Sequence, residues 1–214
     1  GWGARAEFSL GLAIAIADAM GLKEHDATVE YLIDLMAAVQ TIRACQAAAV
    51  HEPEPTPTGF VAPNHRHVMA GGIALFKVRQ QIGELLRIIP GSSLVVAPAD
   101  ADLAAPHLAP GLEEAFAGGG YTAAQRSALL QLAWDHVASG LDGRESAFEL
   151  HASGGMPTWR GRLRKSFTDY NALANAVLKQ LDCEMPTIDL GNIPAAPLAA
   201  RRVNAPPPVP GAKR

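Results

Sequence analysis

The residues best suited to chemistry lie in one segment, Leu132-Ala133-Trp134-Asp135-His136-Val137-Ala138-Ser139-Gly140-Leu141-Asp142-Gly143-Arg144-Glu145. A helical run ends there in a turn bearing serine, glycine and arginine. A second helix is predicted to follow at once, from about Glu145 to His151. The N–H groups at a helix start have no partners within the helix, and the helix dipole adds positive potential there. With the Arg144 guanidinium beside them, they suit an anionic group such as a pyrophosphate. The same residues also read as a plain helix–turn–helix with Arg144 paired to Asp142 or Glu149. Composition and spacing leave both readings open.

Other constellations carry less. His65-Arg66-His67 alternates, so on a helix its two imidazoles point about 200° apart and cannot share a metal ion; no metal site is expected. Asp135, His136 and Ser139 contain the residue types of a catalytic triad. His136, however, is rotated about 100° from Asp135 on a helix, and no nucleophile elbow precedes the serine. Gly71-Gly72 lies inside a helical pattern, follows no strand, and points to close helix packing rather than a dinucleotide fingerprint. Trp159, Arg160, Arg162, Arg164 and Lys165 form a basic, aromatic-tipped helix start, either a solvated face or a contact for an acidic partner or a phosphate.

Helices must position these residues. The first is predicted from about Ala4 to Met20, with Phe8, Leu12, Ile16 and Met20 on one face and Gly21 as its stop. Asp26 can cap a second, with Val29, Leu32, Ile33, Met36 and Val39 on one face and an end near Val50. Glu52 to Pro63 holds four prolines in twelve residues and is expected to be a stiff linker rather than an element. Asn64 can cap a third helix, which carries Val68, Ile73, Phe76, Ile82, Leu85 and Leu86 until Pro90 ends it. Leu94-Val95-Val96 is expected to be a short extended run leading into a loop from Pro98 to Pro110. Gly118-Gly119-Gly120 makes a joint, after which Thr122 and Gln125 form a capping box. That helix carries Leu129, Leu132, Ala133 and Val137 and is expected to fail at Gly140 to Gly143. Thr158 starts a last long helix through Leu163, Phe167, Tyr170, Leu173, Val177 and Leu181.

The expected architecture is all-α, a bundle of four to five long helices over residues 1–182, followed by an extended proline-rich arm over residues 183–214. Pro186 through Arg214 holds seven prolines, with Ile188, Leu190, Ile193 and Leu198 scattered through it as for an arm lying in a partner's groove. The chain has 214 residues, 49% of them hydrophobic, enough to fill a core. A net charge of −3 offers no basic face for a phosphate backbone, so no nucleic-acid partner is expected. Only 18% of residues are charged, which predicts that much of the outside is covered by other protein. Cys45 and Cys183 are too few for a disulfide framework, which points to a reduced, cytoplasmic protein. The most apolar run, Phe8 to Leu22, is too short and too broken to cross a membrane, and it lacks the marks of a signal peptide. Only Gly1-Trp2-Gly3 precedes the first helix, so upstream sequence is expected either to have been removed or to come from another chain.

The central segment resembles the 4-hydroxyphenylacetate 3-monooxygenase oxygenase-component family, flavin-dependent aromatic hydroxylases related in fold to acyl-CoA dehydrogenases. The family's pattern there is similar to W-D-x-x-G-S-x-F-G-G-R-x-x-x-Y-E. Trp134, Asp135, Ser139, Gly143, Arg144 and Glu149 match it, while Ala138, Leu141, Asp142 and Phe148 depart from it. Ala6 to Leu12 resembles the helix that opens the family's C-terminal domain. Gly59 to Pro63, and later Gly91 to Leu103, are similar to the run from G-x-x-x-P to L-P-S-x-A-x-D-L. Pro98, Ala101, Asp102 and Leu103 fit that run, but Ala99 and Asp100 stand where the family often has serine, so a hydroxyl near the flavin is absent. The resemblance covers roughly residues 3 to 182, and only the family's C-terminal helical domain. The N-terminal helical and middle β-domains, which carry most of the substrate pocket and the phenol-activating base, lie outside it.

The resemblance implies the helical part of a two-component phenol hydroxylase that uses FAD as FADH2 delivered by a separate flavin reductase. The bundle would form one wall of the flavin site and the surface on which subunits associate, as a homo- or hetero-oligomer. Ser139, Gly143 and Arg144 would bind the cofactor, Trp134 and Asp135 would hold the turn from behind, and Pro98, Ala99 and Asp100 would close one side. A small aromatic molecule would be the substrate, and a polypeptide carrying the N-terminal and middle domains would be the partner without which the chain is inactive. The altered turn also admits a non-catalytic scaffold or assembly subunit derived from that family. A flavin-dependent dehydratase of the same superfamily is a further alternative; it requires an iron–sulfur cluster whose ligands would lie mostly outside this chain.

Overall fold

The structure, a computed structural model, describes residues 2–152, 154–164, 167–181, 183–184 and 186–189. Two compact units are distinguished, Gly1–Leu163 and Arg164–Arg214. In the first, α1 (Trp2–Ala19) and α2 (Asp26–His51) form a helical hairpin. Gly21 ends α1 at φ 69°: its N–H bonds the Asp18 carbonyl and the Leu22 N–H bonds that of Ala17, the two links of a Schellman cap. A short antiparallel ribbon, β1 (Glu54–Pro55) and β2 (Val61–Ala62), leads to α3 (His65–Ile88). Then come α4 (Ser93–Val96), α5 (Asp100–Ala104), α6 (Ala109–Phe116), α7 (Ala123–Val137), α8 (Gly140–Ala152) and α9 (Gly155–Arg164). In the second unit, α10 (Phe167–Leu178) is followed by a backbone segment tied to it by the Asn175 side-chain amide, which exchanges hydrogen bonds with the Ile188 backbone.

The all-α expectation holds. The core joins α1, α2, α3 and α7, with Ile16, Leu35, Leu86 and Leu130 shielded from water. Burying each such side chain stabilises the fold by about 1.5–3 kcal/mol before chain entropy is counted. On α1 the inward row is Ala6, Ser9, Ala13, Ile16 and Ala17, and Phe8 is half exposed. Of the predicted row, Leu12 and Ile16 are buried in the core, whereas Phe8 and Met20 lie at its margin, because small residues let neighbouring helices approach closely and the alanine side faces in. On α2 the buried row is Thr28, Leu35, Val39, Ile42 and Ala49, whereas Ile33 and Met36 are exposed.

Several boundaries differ from expectation. Glu52 to Pro63 contains the ribbon, because Gly59 at φ 86° turns the chain back and Thr56 bonds the Phe60 carbonyl through both its N–H and its hydroxyl. Leu94 to Val96 forms a helical turn rather than an extended run, since Val95 and Val96 both donate to the Ser92 carbonyl. The predicted Pro98–Pro110 loop contains α5 and the start of α6. Asp26 is the first residue of α2, and His25 is its N-cap, without a side-chain bond. Of the helix expected from Thr158 to Leu181, the described residues form α9, which already begins at Gly155, and α10, which ends at Leu178; residues 165 and 166 between them lie outside the described residues. Lys165, Asp182 and nearly all of the expected proline-rich arm lie outside the described residues.

The capping expectations at Asn64 and Thr122 hold. The Asn64 side chain accepts the Arg66 N–H at 3.0 Å. Thr122 Oγ1 accepts the Gln125 N–H at 3.2 Å, while Gln125 Oε1 accepts the Thr122 N–H at 2.9 Å. Thr122→Ala should therefore lower stability by about 1 kcal/mol, read as a reduced urea midpoint with an unchanged slope.

Candidate functional site

The corner between α7 and α8 is built by its own backbone. The N–H groups of Ala138 and Ser139 both bond the Trp134 carbonyl, and Ser139 Oγ donates to the Asp135 carbonyl at 3.1 Å. The same hydroxyl accepts the Asp142 N–H at 3.3 Å, which makes Ser139 the cap of α8. That cap lets the helix start at Gly140 rather than near Glu145, a correction to the sequence reading. Serine followed three residues later by an acid is a helix-start pattern and was the available signal. The Gly143 N–H is consumed by the Ser139 carbonyl, so the first-turn amides left without intrahelical acceptors are those of Gly140 and Leu141.

α8 has two opposed faces. Asp142, Ser146 and Glu149, four and three residues apart, share the inner one and meet two arginines from other helices. Arg5 of α1 lies 2.9 Å from Glu145, 3.0 Å from Glu149 and 3.6 Å from Asp142. Arg79 of α3 pairs with Glu149, bonds Ser146 Oγ and lies 3.6 Å from Asp142. These contacts clamp α8 to the bundle. The acids expected to pair with Arg144 are thus engaged elsewhere. Leu141, Arg144 and Phe148 share the outer face, with Leu141 58% and Phe148 69% exposed. Arg144 is exposed and makes no hydrogen bond or ion pair among the described residues. Trp134, in the last turn of α7, is also 40% exposed.

Ser139, Gly143, Arg144, Trp134 and Asp135 therefore gather on an open corner. Pro98, Ala99 and Asp100 belong to a neighbouring turn. Pro98 is buried, and its carbonyl accepts Gln131 Nε2 at 3.0 Å, one helical turn before Trp134 and Asp135. The Ala99 N–H is held by the Asp102 carboxylate at 3.2 Å, and Asp100 is exposed at the start of α5. The triad reading fails on geometry, since His136 Nε2 meets Ser9 Oγ of α1 at 2.7 Å and Ser139 bonds only backbone. His65 and His67 turn to different carboxylates, Glu54 and Glu52, each within 2.8 Å. Trp159 is buried rather than at a basic tip; it packs edge-on against Phe76 with centroids 6.2 Å apart, while Arg160 and Arg162 are exposed. Sequence reasoning missed Arg5, Ser9 and Arg79. The signal was a charged or polar residue on an otherwise apolar helix face, which demands a partner.

Burial, and next the nearby Arg5 charge, hold the His136 pKa below its ordinary 6.5. The unfolded chain therefore binds a proton here more readily than the folded one, and stability rises with pH across this titration. The contribution is complete above about pH 6.5 and is lost as pH falls below it toward the folded value. The thermal midpoint should accordingly climb between about pH 5 and pH 7. His136→Gln, which keeps a donor for Ser9 but does not titrate, should flatten the climb in a pH series of melts.

Among the described residues no helix is long and apolar enough to cross a membrane. Known proteins agree with the fold. The chain is 29% identical over 147 residues to the 4-hydroxyphenylacetate 3-monooxygenase oxygenase component of Thermus thermophilus, covering 68% of this chain and 30% of that protein. It is 28% identical over 159 residues to the 4-nitrophenol 4-monooxygenase/4-nitrocatechol 2-monooxygenase oxygenase component of Rhodococcus opacus, covering 74% and 30%. The chain thus spans about 30% of the length of these relatives. The crystal structure of a 4-hydroxyphenylacetate 3-monooxygenase oxygenase component complexed with FAD and 4-hydroxyphenylacetate superposes with a TM-score of 0.76 at 26% identity, over 83% of this chain and 38% of that one. An archaeal 4-hydroxybutyryl-CoA dehydratase from N. maritimus shares the fold at a TM-score of 0.75 and 18% identity, over 86% of this chain and 37% of that one. Residues 3–179 match the 4-hydroxyphenylacetate 3-hydroxylase C-terminal family, HpaB, and the chain belongs to it.

Proposed function

We propose that this chain is the C-terminal helical part of a two-component, FADH2-dependent aromatic hydroxylase. In this reading it forms one wall of the flavin site and the surface on which subunits associate. It works with a polypeptide carrying the N-terminal and middle domains and receives reduced flavin from a separate reductase. The observation that carries the proposal is the family match over residues 3–179, in a chain whose match to its oxygenase relatives covers 30% of their length.

The outer face of the corner fits a flavin dinucleotide by the chemistry of its donors. A guanidinium, two helix-start amides and three apolar side chains suit a diphosphate joined to flat rings. Bound reduced flavin would supply the electrons that activate dioxygen for transfer of one oxygen atom to an aromatic ring. Arg144 and the Gly140 and Leu141 amides would hold the diphosphate. Ser139 would fix the turn by capping α8, and Trp134 and Asp135 would hold it through their carbonyls. Gly143 keeps the outer surface free of a side chain beside Arg144. Leu141, Phe148 and Trp134 would exclude water once a partner surface closes over them. Pro98, Ala99 and Asp100 would close one side, with Pro98 anchored on Gln131.

A second reading, a scaffold or assembly subunit derived from the same family, is favoured by Asp142. This acid stands where the family's pattern has glycine, and it is turned inward to Arg5 and Arg79. Native mass spectrometry separates the two readings, since stoichiometric FAD in the assembled complex excludes a pure scaffold. The first reading also predicts that the purified chain, given FADH2, dioxygen and a phenol, forms no hydroxylated product. Micromolar flavin binding together with product from the lone chain would overturn it.

A further inference from the structure

Behind the corner, on the inner side of α8, lies a partly open cavity of about 240 Å³ lined by α1, α3, α7 and α8. None of the residues assigned above to the flavin lines it. Leu75, Phe76, Ile82 and Val137 make its walls apolar, and His136 and Ser9 give it a polar pole. A dry apolar cavity of about 150 Å³ already accommodates a benzene ring, so this one has room for a single ring with a short substituent.

The chemistry of the pole is fixed by its hydrogen bonds. Ser9, fully buried, donates its hydroxyl proton to the Arg5 carbonyl at 2.8 Å, so at 2.7 Å it must accept from His136 Nε2. That assigns the proton to Nε2 and leaves Nδ1 as an acceptor, while the Phe8 ring holds the imidazole edge-on at 5.2 Å. The charges around the cavity cancel. Arg5 and Arg79 are matched to Asp142, Glu145 and Glu149, and Arg87 is bound to the Val137 carbonyl. An anionic ligand would have to displace a carboxylate from Arg5 or Arg79, or compete with the Val137 carbonyl for Arg87, whereas a neutral ligand displaces nothing.

We propose that this cavity binds a neutral, single-ring molecule carrying one O–H or N–H donor, with its ring between α3 and α7 and its donor on His136. The site is distinct from the flavin wall and holds whether or not the chain binds flavin.

Benzyl alcohol is a suitable probe, with toluene lacking the donor and phenylacetate adding a charge. Titrated into the full chain and followed by amide NMR, benzyl alcohol should give saturable shifts at Ser9, Phe76 and Val137. Toluene should bind about fivefold more weakly, the cost of one missing hydrogen bond, and phenylacetate should leave those amides unmoved. Gly83 lines the cavity, and a Cβ built there meets only the far end of Arg87, at 3.8 Å. Gly83→Leu should therefore fill the space, preserve the helical circular dichroism and abolish the shifts. His136→Phe should bind both neutral probes equally. Absence of saturable shifts, shifts that persist in Gly83→Leu, or phenylacetate binding as tightly as benzyl alcohol would each overturn the proposal.

Discussion

Gly72→Ala should destabilise the protein by about 2–4 kcal/mol, although alanine ordinarily favours a helix over glycine by about 1 kcal/mol. The reason is Trp159. A methyl group at position 72 would overlap the six-membered ring of that indole, so close that the ring must leave. It has nowhere to slide, because Phe76 and Met69 are buried beside it and Val68, Ile73, Met156 and Leu163 pack around them. Expelling the indole forfeits an aromatic anchor of the kind that costs about 3–5 kcal/mol when truncated, and α9 comes off α3 with it. Trp159→Ala in the same background isolates the cause. With the indole gone the added methyl is harmless, so the double variant should be no less stable than Trp159→Ala alone. Gly83→Ala, in open space on the same helix, should stabilise the fold by up to about 1 kcal/mol and serves as the control. Equal urea midpoints for Gly72→Ala and Gly83→Ala would refute this packing account.

Arg144→Ala should weaken FAD about ten- to a hundredfold in the complex formed with a polypeptide carrying the N-terminal and middle domains. A hydrogen bond to a charged group contributes roughly 1.5–3 kcal/mol, which is that range of affinity. The variant isolates binding from folding, since Arg144 is exposed on the outer face of α8 with no partner among the described residues, and alanine favours the helix. Arg144→Lys keeps the charge but loses the planar fork and should recover only part of the affinity. Melting curves of the two variants should overlay the parent. Unchanged FAD affinity in Arg144→Ala would remove the residue from the flavin wall.

The sequence was legible where local chemistry decides structure. Asn64, Thr122 with Gln125, and Gly21 set helix ends through bonds within a few residues, and each does so in the fold. Gly71-Gly72 read as a site of close packing because a pair of glycines in a helix invites a large neighbour, and Trp159 is that neighbour. Faces were less legible. On α1 and α2 apolar residues surround the helix, so periodicity did not rank alanine above phenylalanine for the interior. The corner was found by residue type, yet its start was misplaced because Gly140 and Gly143 looked like breakers while the Ser139 cap overrode them. The inner clamp was illegible: Arg5, Arg79 and Glu149 are scattered along the chain, and only the folded bundle brings them together.

The central claim is that this corner is one side of a flavin site completed by another polypeptide. Its most direct test is an anaerobic titration of reduced FAD against three samples: the chain alone, a polypeptide carrying the N-terminal and middle domains alone, and the two combined. The account predicts stoichiometric binding in the combined sample, at least about a hundredfold tighter than in either part, as two half-sites joined by association require. Binding by the N-terminal and middle polypeptide that is just as tight without this chain would contradict it.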